Sequence, residues 1–257
     1  MRSTRLVTPS IPGSLRSCPP TLILAAHGSA DPRSATVTHA LAGRIRRLRP
    51  WLDVRAAFLD HSEPNLTDVL ADIAERDHSA VVVPMLLASA YHARVDIPAM
   101  IEASGAAVRQ ADVLGEDPAL LAVLGQRLAE HNVSPGDRDL GVIVVAVGSS
   151  SDAANARTAT VAPALGSGTS WAGIEVAFAT GPHADDLTEA ADRLRRQGAR
   201  RIVVAPWFLA HGRITDRVAK SVAAAGASMT APLGSHNLVA AALLDRFDET
   251  QSAYVAA

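Results

Sequence analysis

The chain has 257 residues, an apolar fraction of 48% and a formal charge of −2, which is an ordinary globular composition and enough material for two cores. The near-neutral charge gives no electrostatic case for nucleic acid, and no apolar run approaches the ~20 residues that a membrane span needs. A single cysteine, Cys18, excludes a disulfide within the chain and an iron–sulfur cluster held by the chain's own cysteines.

Residues 1–20 are rich in Ser, Pro and Arg and read as a disordered tail. They lack the uninterrupted apolar stretch of a signal peptide, so a cytoplasmic protein is expected. The first half, 21–130, then alternates strands with helices. Thr21 to Ala26, Val54 to Asp60, Ala80 to Pro84 and Ala107 to Val113 read as strands, the first and third continuously apolar as buried parallel strands are. Between them Val37, Leu41, Ile45 and Leu48 recur at helical spacing, as do Leu66, Val69, Leu70 and Ile73. Asp31-Pro32 reads as an N-cap and first helical position, and Gly105 as the stop of a short helix from Pro98 to Ala103.

Glu130 to Asp139, with Pro135 and Gly136, reads as a linker into a second half, 140–257. Strands Val142 to Val147, Ile174 to Ala179, Arg201 to Pro206 and Ser228 to Ala231 again alternate with helical segments. The landmarks repeat: Ala26 matches Ala146, Phe58 matches Phe178, Pro84 matches Pro206 and Gly115 matches Gly234, a spacing of about 120 residues that is too long for a solenoid. The expected architecture is two tandem α/β domains, each a mainly parallel sheet covered on both faces, with an active site in the cleft between them.

Familiar chemistries are missing. There is no G-x-x-x-x-G-K-[ST] loop for ATP, Gly166-Ser-Gly168 does not follow a strand as a dinucleotide fingerprint does, and there is no G-x-S-x-G elbow. What remains is histidine at strand ends. His27 ends the first strand and His92 lies in the loop after the third, whereas the second half repeats the scaffold with Val147 and Ile214 at those places. Ligands of open parallel sheets collect beyond the carboxyl ends of strands, so His27, Asp60 and the His92 loop bring N, O and N donors to one mouth. Two imidazoles and a carboxylate suit a borderline divalent ion such as ferrous iron or cobalt and leave positions open for exchange. For either histidine alone, a structural or exposed role is the commoner one. Asp60 on its own reads equally as a cap for loop amides, and Glu63 as a first-turn carboxylate. His39, His78, His131, His183 and His236 read as surface residues; His61 and His211 are nearer the cluster, and His211 is placed to line the cleft without binding metal.

His27-Gly-Ser-x-Asp-Pro32, Phe58-Leu-Asp-His-Ser-Glu-Pro64 and Pro84-x-Leu-Leu-Ala-x-Ala-Tyr-His92-x-x-Val-Asp-Ile-Pro98, in this order, resemble the sirohydrochlorin and cobalt chelatases of the class II group. The resemblance extends over nearly the whole chain after the tail. It implies insertion of a divalent metal, ferrous iron first and cobalt second, into sirohydrochlorin without ATP, in siroheme or cobalamin synthesis. It also implies that His27 and His92 are the metal-binding and proton-accepting groups. A family glutamate ligand falls on Asp60, one carbon shorter, with Glu63 as its substitute; an arginine common after His-Gly-Ser is replaced by Ala30. The metal is a substrate here, and no other cofactor is implied.

Chemistry then assigns roles. A free-base tetrapyrrole loses two pyrrole protons on metallation, and an imidazole, with an ordinary pKa of ~6.5, accepts a proton near neutrality. His27 is expected to be that acceptor, with His92 and Asp60 presenting the metal. Arg33, Arg94 and Arg213, just beyond strand ends, are candidates for the substrate's carboxylates. The alternative from another class is a carrier that binds metal or tetrapyrrole in the same cleft without turnover. Two halves closing one cleft fit a monomer.

Overall fold

The computed structural model describes residues 20–89, 91–181, 184 and 187–255. Residues 1–19 of the expected tail, Cys18 among them, and His183 lie outside the described residues.

The first half runs β1 (Thr21–Ala26), α1 (Pro32–Leu48), β2 (Val54–Phe58), α2 (Leu66–Glu75), β3 (Ser79–Pro84), a π-helical turn (His92–Asp96), α3 (Ile97–Ser104), β4 (Ala107–Gln110) and α4 (Pro118–Glu130). The second runs β5 (Leu140–Ala146), α5 (Asp152–Ala159), α6 (Val161–Gly166), β6 (Gly173–Phe178), α7 (Leu187–Arg196), β7 (Arg201–Pro206), α8 (Arg213–Ala224), β8 (Ser228–Met229) and α9 (Asn237–Val255). Each half forms a four-stranded, all-parallel sheet, ordered β2-β1-β3-β4 and β6-β5-β7-β8. The chain therefore reverses direction across the sheet between β1 and β3, and again between β5 and β7. These are the switch points where such sheets hold ligands.

Local chemistry sets the helix starts. Asp31 accepts a hydrogen bond from the Arg33 amide with Pro32 next to it, Asn65 accepts from Thr67, and Asp117 accepts from Ala119 before Pro118. Gly105 closes α3 in the left-handed conformation, φ 63°. The α3 helix differs from the sequence expectation at its other end. His92 stands on a π turn that runs directly into α3, with the Ile97 amide donating to the His92 carbonyl.

Alternation along the central strands feeds three cores rather than two. Ile23 and Ala25 of β1 pack outward with α2 and α3, and Ile143 and Val145 of β5 pack outward with α7 and α8. Leu22 and Leu24, with Val142 and Val144, point the other way into one core shared by both halves. That core is built by exchange. Helix α4 packs against α6 and β7 of the second half, and α9 packs against α1 and β3 of the first. The two sheets thus sandwich a common layer of helices, and the final helix of each half belongs to the opposite half's packing.

Candidate functional site

A cavity of about 730 Å³ opens between the halves, at the carboxyl ends of β1, β3, β5 and β7. Most of its wall is apolar, with Leu86 and Leu87 from one half facing Val147, Trp207 and Phe208 from the other. A broad slot of that kind suits a flat, largely apolar ligand held by a few polar groups. Trp207 is 1% exposed, and among the described residues its indole Nε1 has no hydrogen-bond partner.

His27 and His92 meet on the first half's wall. Their ring centroids are 4.4 Å apart and the rings are nearly perpendicular, at 81°. This lies well inside the span of two imidazoles that each reach one ion at ~2.1 Å. Two features position His27. The Asp60 amide donates to the His27 carbonyl at 3.0 Å, extending the β1–β2 ladder by one step. Gly28, at φ +87°, lets the loop ride so close to Asp60 that a Cβ there would stand 1.7 Å from the Asp60 carbonyl oxygen. His92 is positioned by Asp96, whose Oδ2 lies 2.5 Å from His92 Nδ1.

Asp60 therefore supports His27 through its backbone, and its carboxylate goes elsewhere. Its Oδ1 accepts from the His61 amide at 2.8 Å, its Oδ2 lies 3.1 Å from His61 Nε2, and the side chain does not line the cavity. Among the described residues no group of three or more His, Cys, Asp or Glu side chains is arranged to hold a metal. Glu63 lies outside the cavity lining; its Oε2 accepts from the Asn65 amide, one residue ahead of α2.

The three arginines separate. Arg213, at the start of α8, lines the cavity. Arg33 donates to Asp31 in its own half and, at 2.5 Å, to Asp216 in the other, so it bridges the halves instead of lining the cleft. Its guanidinium holds the Asp31 carboxyl down to about 2, and hydrogen bonding to Arg33 likewise lowers Asp216. Arg94 is exposed on the π turn, outside the cavity lining.

His61, in a left-handed conformation at φ 58°, and His211, from the opposite wall, both line the cavity. His236, read as a surface residue, is half-buried: its Nδ1 accepts from the Leu238 amide at the start of α9. Sequence reasoning assigned no part to Asp96, although its position four residues after His92 is the spacing that stacks side chains on one helical face.

Fold and site together define a tandem α/β protein whose two switch points face each other across one cleft, with the His27–His92 pair on one wall. The chain belongs to the CbiX family, whose profile matches residues 21–131 and 141–250. A sirohydrochlorin cobaltochelatase of Priestia megaterium is 26% identical over 215 residues, covering 78% of this chain and 68% of that protein. A sirohydrochlorin cobaltochelatase of Methanosarcina acetivorans is 34% identical over 76 residues, covering 29% of this chain and 58% of that protein. The fold is shared with the sirohydrochlorin chelatase SirB of Bacillus subtilis subspecies spizizenii, solved with cobalt. That match has a TM-score of 0.72 and 19% identity, over 90% of this chain and 94% of that one. It is shared also with CbiX, described as the terminal enzyme of siroheme biosynthesis in denitrifying bacteria, at a TM-score of 0.66 and 21% identity over 90% of this chain.

Proposed function

We propose that this protein is a chelatase, a lyase in classification, that inserts a divalent metal into sirohydrochlorin without ATP. Ferrous iron is the first candidate metal and cobalt the second. The observation that carries the reading is the His27–His92 pair, 4.4 Å between ring centroids, on one wall of an apolar slot that opens at the switch points of both sheets. Family membership and the names of the relatives support the substrate class.

Metallation requires that the incoming ion shed its ligands in favour of four ring nitrogens while two pyrrole protons leave. Two imidazoles without a closed cage of further protein ligands hold such an ion loosely enough to surrender it, as an exchanging site must. His92, already hydrogen-bonded at Nδ1, offers Nε2 to the metal. His27 accepts one departing proton once the ion has moved onto the macrocycle, because a ligated imidazole cannot hold a proton on the same nitrogen, and the second proton passes to water at the open mouth of the cleft. Arg213 at the cavity wall meets the substrate's carboxylates, and Arg33 joins it on release from Asp216. Asp60 serves by holding the His27 loop.

The test is an anaerobic absorbance assay of purified protein with sirohydrochlorin and ferrous iron or cobalt, alongside His27→Ala and a no-protein control. Multiple turnovers lost in the variant support the reading and rank the metals. Stoichiometric binding without turnover overturns it in favour of a carrier.

A further inference from the structure

Asp96 occupies the position from which an aspartate ordinarily caps a helix. It directly precedes α3, whose opening Ile97-Pro98 has the proline that such starts favour. Asp31 and Asp117, in the same setting, each accept a backbone amide of their helix. Asp96 does not. Its backbone is already helical, φ −68° and ψ −51°, its side chain makes no capping bond, and its Oδ2 instead faces His92 Nδ1 at 2.5 Å.

We infer that Asp96 is a positioning residue for metal delivery: it locks His92 in the Nδ1–H tautomer and aims the Nε2 lone pair at the divalent ion. An ionised carboxylate only accepts hydrogen bonds, so a neutral imidazole paired with it carries its proton on Nδ1. The other nitrogen is then left as the sole lone pair, the arrangement that fixes the tautomer and ring orientation of metal-ligating histidines. The pair sits on a braced scaffold. Gln110 of β4 donates from Nε2 to the Ala93 carbonyl at 2.7 Å, and the Ile97 amide closes the π turn onto His92. His92 thereby acquires a defined direction without a third protein ligand, which matters where no further donor group is assembled around the pair among the described residues. Among the described residues the second half has no counterpart: Ile214 stands where His92 does, and α8 starts at Arg213 with an ordinary helical turn.

The inference rests on the chelatase reading for the purpose of the pair, and its test does not depend on turnover. The full chain, labelled with ¹⁵N and free of metal, is examined by long-range ¹H–¹⁵N correlation at pH ~8, where an ordinary imidazole is neutral. His92 is assigned by comparison with His92→Ala. Wild-type His92 is expected to be in the Nδ1–H form. Asp96→Ala is expected to shift it toward Nε2–H and to raise the Kd for Co²⁺ about 10- to 100-fold, the usual cost of losing such a partner. Asp96→Glu, which keeps a carboxylate, is expected to restore most of both. An Nε2–H form in the wild-type protein, or a folded Asp96→Ala with unchanged Co²⁺ affinity, overturns the inference. Because the tautomer is read in the wild-type chain, the result stands even if Asp96→Ala fails to fold. A wild-type protein with the Nδ1–H form and tight Co²⁺ binding that inserts no metal would remove the chelatase reading and leave the role of Asp96 intact.

Discussion

Arg49, at the end of α1, grips Asp248 of α9 with both guanidinium amino groups, Nη1 reaching Oδ1 at 2.6 Å and Nη2 reaching Oδ2. The two residues come from opposite halves of the chain. They flank a contact in which Val239, Leu243 and Phe247 of α9 are buried in the shared core. The halves are consequently expected to fold as one unit.

A chain ending at Gly234 is therefore expected to show neither cooperative unfolding nor native far-ultraviolet circular dichroism. The full chain should unfold in a single transition by circular dichroism and tryptophan fluorescence alike. Phe247→Ala is expected to cost about 3 to 5 kcal/mol in urea unfolding, as buried aromatic truncations do. Two separated transitions would contradict the shared core.

Replacing His27 by Ala is expected to lower the rate of metal insertion about 10²- to 10⁴-fold, the range for loss of a proton-transfer group, with little change in melting temperature, whereas His92→Ala is expected to lower insertion chiefly through weaker Co²⁺ binding. His211→Ala, on the facing wall, separates general lining from chemistry: it is expected to raise KM for the tetrapyrrole more than it lowers kcat. A variant of His27 with a full insertion rate would remove it as the acceptor.

Gly28→Ala places a methyl group 1.7 Å from the Asp60 carbonyl oxygen at a positive φ. Loss of about 2 kcal/mol or more is expected, together with loss of insertion, because the backbone must part from Asp60 and carry His27 with it. Gly148→Ala meets the Thr180 carbonyl at 2.3 Å in the other half, where Val147 stands in the place of His27. It is expected to cost similar stability with a smaller effect on metal binding, measured by Co²⁺ titration.

Arg33 must leave Asp216 before it can meet a substrate carboxylate. Asp216→Asn weakens that bridge and is expected to lower KM for the tetrapyrrole, whereas Arg33→Ala is expected to raise it, in steady-state assays at low ionic strength. The difference between the two variants should shrink with added salt, since both partners are about half exposed and screened.

His236 supplies a pH dependence of stability. Burial, reinforced by Arg127 and Arg44, holds its pKa below the ordinary 6.5, and its neutral Nδ1 accepts the Leu238 amide. In the window between its folded pKa and 6.5 the unfolded chain binds more protons, so stability rises with pH there and is lost as pH falls through it. His236→Asn, which keeps an acceptor at the helix start, is expected to flatten the dependence of melting temperature on pH below about 6.5, measured by differential scanning calorimetry.

The strands were legible because parallel strands buried on both faces read as short apolar runs, and Thr21–Ala26 and Arg201–Pro206 fall on their expected bounds. The caps at Asp31 and Gly105 were legible because each rests on neighbouring residues. The exchange of α4 and α9 was not, since an amphipathic face encodes that it must be covered and says nothing of which sheet covers it. The same limit explains the site. His27 and His92 stand at strand ends that topology brings together, whereas the direction of the Asp60 carboxylate depends on the left-handed turn at His61, which periodicity does not report. Asp96 went unassigned because nothing local marks it as a partner of His92: its backbone has already entered the helix, and only the helical turn brings its carboxylate to the imidazole.

The exchanged helices also bear on how unequal the halves can become. A two-fold assembly of separate copies would suffer every substitution twice, once on each wall of the cleft. Joined in one chain and interlocked through α4 and α9, the walls are free to diverge, and Val147 and Ile214 in the places of His27 and His92 are the outcome: one wall carries the paired imidazoles, the other is released to shape the slot.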